Sequence, residues 1–246
     1  MGQSISASTC GICGEGCPLP VGLNSDLDRT SARCRICRLA PPPFERAVAY
    51  GSYDGPLRDL VHLLKFDLVR PAVPVLGRML ADSITSLCGS LPAGVILVVP
   101  VPLHRRKQAQ RGFNQAGTIA RAALKQLSHR DRSQNRFELC ERALVRRRDT
   151  SSQIGLTRHQ RRQNLRGAFA VGDATLIAKR DILLVDDVYT TGTTASECAR
   201  VLRRAGAARV WVATVARTLK LYGLNASPQV MEQSQEVVER GHEVAS

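Results

Sequence analysis

The residues with the clearest chemical potential run Ile182-Leu183-Leu184-Val185-Asp186-Asp187-Val188-Tyr189-Thr190-Thr191-Gly192-Thr193-Thr194. Four aliphatic side chains predict a buried strand, two adjacent carboxylates follow at its carboxyl end, and a hydroxyl-rich turn then opens a helix. A turn of Thr and Gly lets consecutive backbone N–H groups converge on one anion, and the helix adds the positive end of its dipole. A phosphate can be held there with few charged side chains. Asp186 and Asp187 are placed to accept hydrogen bonds from vicinal hydroxyls or to face a magnesium ion bridging them. The pattern points to a phosphorylated sugar. It lacks the lysine of a P-loop, and no G-x-G-x-x-G occurs in the chain. The competing reading is a buried strand ending in an ordinary helix cap, where Asp and Thr are common.

A second chemical pattern lies near the start. Cys10-x-x-Cys13 and Cys34-x-x-Cys37 have the spacing at which two thiolates reach one edge of a tetrahedron, so the pairs predict a four-thiolate structural zinc site. Cys17 is an alternative ligand in place of Cys10. The head has too few apolar residues to fold unaided, and metal binding would supply the missing energy. A disulfide framework is the alternative, disfavoured by the expected cytoplasmic location. Cys88, Cys140 and Cys198 are scattered and read as small hydrophobes.

The formal charge of +14 makes polyanions the expected partners, whether phosphorylated small molecules or nucleic acid. Between Ser128 and Arg166 stand eleven arginines, no lysine and four acids. Arginine is the better bidentate ligand for phosphate. The competing reading is a solvated basic face. Aromatic residues make up only 4%, which leaves few platforms for stacking bases. No apolar run is long enough to span a bilayer, and the first residues lack the regions of a signal peptide, so no membrane insertion is expected.

These groups need elements to position them. The chain divides into a zinc-binding head with a Pro41-Pro42-Pro43 connector (1–43), an α/β domain (44–218) and a polar tail (219–246) expected to be disordered. Strands are predicted at Arg46 to Tyr53, Val95 to Val99, Phe169 to Val171, Asp181 to Val185 and Val210 to Val215. Helices are predicted after Pro56, over Pro74 to Leu87, after the cap Asn114, and from the Thr-rich turn to Gly206. The strand-helix-strand crossover around Asp186 demands parallel pairing and sets the turn at the carboxyl edge of the sheet.

The thirteen-residue run resembles the phosphoribosyl-pyrophosphate signature of the type I phosphoribosyltransferases. Further segments narrow the likeness: Pro100-Val101-Pro102-Leu103, Arg111-Gly112-Phe113-Asn114-Gln115-Ala116, Thr150-x-x-Gln153-x-x-Leu156, and Arg161-x-x-Asn164-Leu165-x-Gly167-Ala168-Phe169. With the Cys-rich head, they are similar to the ComF competence-associated family, from Cys10 to about Arg217. The resemblance implies a parallel sheet flanked by helices and a small zinc module. It also implies phosphoribosyl pyrophosphate with Mg2+ as ligand and a link to DNA uptake. Asp186 and Asp187 would then be the catalytic pair, and with Thr190, Thr191, Gly192, Thr193 and Thr194 they would bind phosphoribose. The loop after an early strand would hold pyrophosphate, with Arg105, Arg106, Lys107 and Arg111 as candidates. A mobile hood would carry Thr150, Gln153, Arg161 and Asn164. Lys65 matches a family lysine, though a surface lysine lying along apolar neighbours reads the same way. The acceptor stays unnamed. A non-catalytic fold that binds single-stranded DNA or assembles with DNA-uptake proteins is the alternative function.

Overall fold

Strands made almost wholly of Val, Ile, Leu and Ala cannot face water on either side, so helices must cover both faces of the sheet they form. The computed structural model describes residues 9–16, 32–66, 71–130, 135–150 and 157–219. In chain order its elements are α1 (Arg35–Leu39), β1 (Ala47–Ser52), α2 (Gly55–Phe66), α3 (Ala72–Leu87), β2 (Gly94–Pro100), α4 (Arg105–Arg111), α5 (Gln115–Arg130), β3 (Asn135–Leu139), β4 (Leu144–Arg146), α6 (Arg158–Leu165), β5 (Phe169–Val171), β6 (Asp181–Tyr189), α7 (Thr193–Arg204) and β7 (Arg209–Arg217). Five strands pair in parallel in the order β1-β7-β6-β2-β3. The expected α/β fold with a parallel sheet and flanking helices is present.

Alternation along the strands divides the core. Leu183 and Val185 of β6 with Trp211, Ala213 and Val215 of β7 pack on α2, α3 and α5. Ile182 and Leu184 with Val210 and Val212 pack on α7, and this cluster continues into the four cysteines of the head. The head is tied on by backbone as well, since Ala47 N–H donates to the Ile12 carbonyl at 2.6 Å.

The connections decide where the sheet opens. The chain leaves β2 towards β3 on one side, whereas it leaves β6 towards β7 on the other. The boundary between β2 and β6 is thus a topological switch point, the place where open parallel sheets leave a crevice at their carboxyl ends. Pairing between the two strands stops at Pro100 opposite Val185, while β6 runs on to Tyr189 beside β7 alone.

Several elements differ from the sequence expectation. β6 does not end before the acids, because Val188 and Tyr189 are good strand formers and still find a ladder partner in β7. Residues 105–107, expected as a basic loop, begin helix α4, which ends at Gly112 with φ +75°. The edge strand β3 and strand β4 lie in charged sequence whose apolar signal is weak, and neither is foreseen, whereas β5, which pairs antiparallel with β4, stands at the expected Phe169–Val171. Asn114 does cap α5, its Oδ1 accepting from Ala116 N–H at 3.1 Å. The tail beyond residue 219 lies outside the described residues.

Helices α3 and α5 touch at Gly77, where an added Cβ would come within 2.5 Å of Ala122 Cβ. Gly77→Val is therefore expected to destabilise the fold by roughly 1–3 kcal/mol through overpacking. Urea unfolding checks this, and unchanged stability would mean the two helices do not meet so closely.

Candidate functional site

The switch point is filled by the residues after β6. Gly192 adopts φ +72° and serves as N-cap of α7 without a side-chain cap. Glycine is required there twice over: the conformation is left-handed, and any Cβ would collide with the Tyr189 hydroxyl lying beneath it. Thr191 and Thr193 hydroxyls hydrogen-bond each other at 2.8 Å. Asp186, Thr190, Gly192 and Thr194 line a small pocket that reaches back to Thr214 on β7. No side chain caps the start of α7, and a helix N-terminus left in that way can receive an anion.

The two acids part company. Because β6 continues as a strand, adjacent side chains point to opposite faces. Asp187 is buried on the α2 side, where Lys65 Nζ pairs with its Oδ2 at 3.0 Å. Asp186 lies on the loop side and accepts the Asp187 backbone N–H at 2.9 Å. Burial and the neighbouring Asp187 carboxylate push the Asp186 pKa up to about 7, against the pull of Lys65 and Arg146. Burial works against the Lys65 charge, yet the attraction of Asp187 and Asp186 outweighs it and raises the lysine's pKa. Lys65 is part of the site's charge balance and no mere surface lysine.

Helix α6 approaches the loop from outside. Arg161 Nη1 donates to Thr190 Oγ1 at 3.4 Å. Thr150, buried at 4% exposure, accepts from the guanidinium of Arg146, which also covers the Phe169 ring at 5.4 Å. Burial lowers the Arg146 pKa, partly offset by the nearby carboxylates of Asp186 and Asp149. Its Nε is buried and meets no acceptor among the described residues. Arg146 was visible in the sequence only as one of a basic triplet, so its place beside Asp186 is a finding of the fold. Asn164 sits on α6 and does not line the loop pocket. Gln153 lies outside the described residues.

The four pyrophosphate candidates do not line the loop pocket either. Arg105 instead faces a separate open groove, together with Arg121, Arg142, Arg146 and Arg147. Arg106, Lys107 and Arg111 stand on α4 next to it. Arg146 lines this groove and also acts electrostatically on Asp186, which makes it the link between the two regions.

In the head, the sulfurs of Cys10, Cys13, Cys34 and Cys37 all lie within 4.8 Å of one another, and Cys13 and Cys34 are 3.7 Å apart. A tetrahedral ion bound at about 2.3 Å spaces its sulfurs by close to that distance. The Cys37 N–H donates to Cys34 Sγ at the start of α1. Hydrogen bonds from Cys13 and Cys37 pull the Cys10 pKa down, while Cys13 is pushed up to about 12 and Cys37 is pushed up as well, each chiefly by bonding to Cys10. Four crowded thiols cannot all ionise unless a cation joins them. The cluster is compatible with a structural zinc, which these four residues would hold. Cys17 lies outside the described residues.

Two outcomes follow. An unfolded aspartate titrates near pH 4, whereas Asp186 in the fold is raised to about 7. The fold favours its proton, so this contribution to stability is complete below about pH 4 and is lost as pH rises through about 7. Asp186→Asn should remove that component, seen as a shallower fall relative to the parent in urea unfolding from acid to neutral pH. Identical pH slopes would refute the raised titration. Prolonged chelation should strip about one zinc per chain and unfold the head, followed by metal analysis and circular dichroism. A folded sample holding almost no zinc would dismiss the metal.

No family model matches the chain. It is 34% identical over 189 residues to the DNA utilization protein YhgH of Escherichia coli strain K12, covering 76% of this chain and 78% of that protein. Competence protein F of Haemophilus influenzae is 31% identical over 213 residues, 85% of this chain and 84% of that one. Among solved structures it is similar to glutamine phosphoribosylpyrophosphate amidotransferase from B. subtilis complexed with ADP and GMP, at TM-score 0.35 and 22% identity. That alignment covers 68% of this chain and 33% of the other, so the chain spans about a third of that structure's length, and the fold rests on the strand order instead. Likeness to Competence protein F and YhgH over most of each chain shows that this chain belongs to the ComF family.

Proposed function

We propose that the chain binds phosphoribosyl pyrophosphate, or a related phosphoribose, at the carboxyl end of β6 and serves DNA uptake or nucleotide metabolism. The observation that carries this reading is the left-handed, uncapped Gly192 turn directly beside Asp186 at the switch point. The names DNA utilization protein and Competence protein F among its relatives support the cellular context.

In this reading the amides of residues 190–194 hold the 5′-phosphate, aided by the dipole of α7. Asp186 accepts hydrogen bonds from the ribose hydroxyls, and Asp187 acts with it as the catalytic pair while Lys65 compensates its charge. Transfer would break the bond from the anomeric carbon to pyrophosphate through an oxocarbenium-like state, so charge appears on the leaving group. Arg146, whose Nε has no described acceptor, is best placed beside Asp186 to meet that charge, with Arg105, Arg106, Lys107 and Arg111 further along the groove. Helix α6, touching the loop through Arg161, would exclude water with Thr150, Gln153 and Asn164 in the same hood. A magnesium ion bound with the ligand would neutralise part of the pyrophosphate charge.

The arginine groove favours a second reading, a binding surface for single-stranded DNA. Phe113 and His104 supply the only rings among its lining residues, so contact there would rest mainly on the phosphate backbone and weaken steeply with salt. DNA-uptake proteins would be natural neighbours of such a complex.

Titration calorimetry with phosphoribosyl pyrophosphate and magnesium tests the first reading. Asp186→Asn should weaken binding by about tenfold or more, the worth of one charge-assisted hydrogen bond. DNA affinity should persist in that variant and fall with Arg142→Ala and Arg147→Ala. No heat at millimolar ligand would remove the sugar-phosphate reading.

A further inference from the structure

The phosphate turn and the four-cysteine head share a buried arginine. Arg217 ends β7, is only 3% exposed, and pairs in register with Tyr189 of β6. Its Nη1 donates to the Cys13 carbonyl at 2.6 Å and its Nη2 to Glu15 at 3.2 Å, whereas its Nε meets no acceptor among the described residues. The side chain of a sheet residue thus finds its acceptors in the head. Both lie in the turn that carries the first cysteine pair, closed by Cys10 N–H on the Glu15 carbonyl at 2.7 Å and by Gly14 N–H on the Cys10 carbonyl at 2.8 Å. The same guanidinium lies 5.4 Å from the centre of the Tyr189 ring, and the Tyr189 hydroxyl is the atom that a Cβ on Gly192 would strike. Head, arginine, tyrosine and phosphate turn form one buried clamp.

We propose that Arg217 is a positioning residue for the phosphate turn, through which a zinc ion in the head and an anion in the turn bind cooperatively. This coupling rests on the phosphate reading above and adds what controls that site. The four thiolates can gather round a cation only when the turn from Cys10 to Glu15 is formed, and that turn presents both acceptors to Arg217. If the head opens, the guanidinium is left buried with neither acceptor, a costly state that the side chain escapes only by swinging into water. The Tyr189 ring then loses the cation lying over it, and the floor beneath Gly192 loosens. An anion must afterwards order the turn as well as bind it, so its affinity falls. The linkage is reciprocal: an anion that fixes the turn also fixes Tyr189, Arg217 and the cysteine turn, and zinc is held more tightly by the same factor.

Competition for zinc between the intact chain and a chelator, with and without saturating ribose 5-phosphate, tests the coupling. Ribose 5-phosphate should raise zinc affinity about fivefold or more, the lower end of the usual range between coupled sites. Calorimetry should show ribose 5-phosphate binding weakened by the same factor once zinc is withdrawn. Arg217→Lys keeps a cation but loses the planar fork, and its zinc affinity should no longer respond to ribose 5-phosphate. Tyr189→Leu should uncouple the two sites as well, while Tyr189→Phe, which keeps the ring, should retain most of the effect. A residue needed for stability alone would lower both affinities without removing the dependence of one on the other. Equal zinc affinity with and without ribose 5-phosphate, in a chain that binds ribose 5-phosphate, would overturn the coupling and leave the phosphate turn intact. An undiminished effect in Arg217→Lys would overturn the role of Arg217. Failure of ribose 5-phosphate to bind the zinc-replete chain would instead remove the phosphate turn itself, and the coupling with it.

Discussion

The early end of β2 governs everything at the carboxyl edge of the sheet. Its last pairing sets Pro100 against Val185, and Val101 N–H closes the ladder on the Val185 carbonyl at 2.8 Å. From there β6 keeps only β7, so four residues of a central strand acquire a free edge. Apart from its first residue, Asp181, β6 tolerates polar groups only there, because the four residues between are wholly buried. Asp186, Asp187 and the Thr-Gly turn occupy the one length of the strand that the topology leaves open.

Burying two carboxylates next to each other is costly unless each finds a separate answer. Strand alternation provides it by sending Asp187 to Lys65 and Asp186 towards Arg146. The cations come from α2 and from β4, elements far apart in the chain. A site of this kind is poised: Asp186 titrates near neutrality because its compensation is incomplete. A cation or a set of sugar hydroxyls arriving on the loop side would complete it.

The head gains its order from outside itself. Its cysteines continue the core cluster of one sheet face, and the carbonyl of Cys13 is bound by an arginine from the opposite end of the chain. Gly14 has φ +68°, and a side chain there would strike that arginine. Such a short segment cannot hold itself together by apolar burial, so a metal and a docking surface share the task.

The amino-acid sequence by itself determined the strand-turn-helix of residues 182–194, the Cys-x-x-Cys pairs, the cap at Asn114 and the helical covering of a parallel sheet. Each is written in neighbouring residues, as periodicity, backbone permission or ligand spacing. The divergence of Asp186 and Asp187 was hidden because the strand was expected to stop at Val185, before alternation could apply to them. The Lys65–Asp187 pair, the approach of Arg146 to Asp186 and the Arg217 clamp join residues far apart in the chain, and no local pattern distinguishes those cations from the many solvated ones. Only the packing of α2, β4 and the head against one strand end selects them, since a charge acquires a role from what it is buried beside.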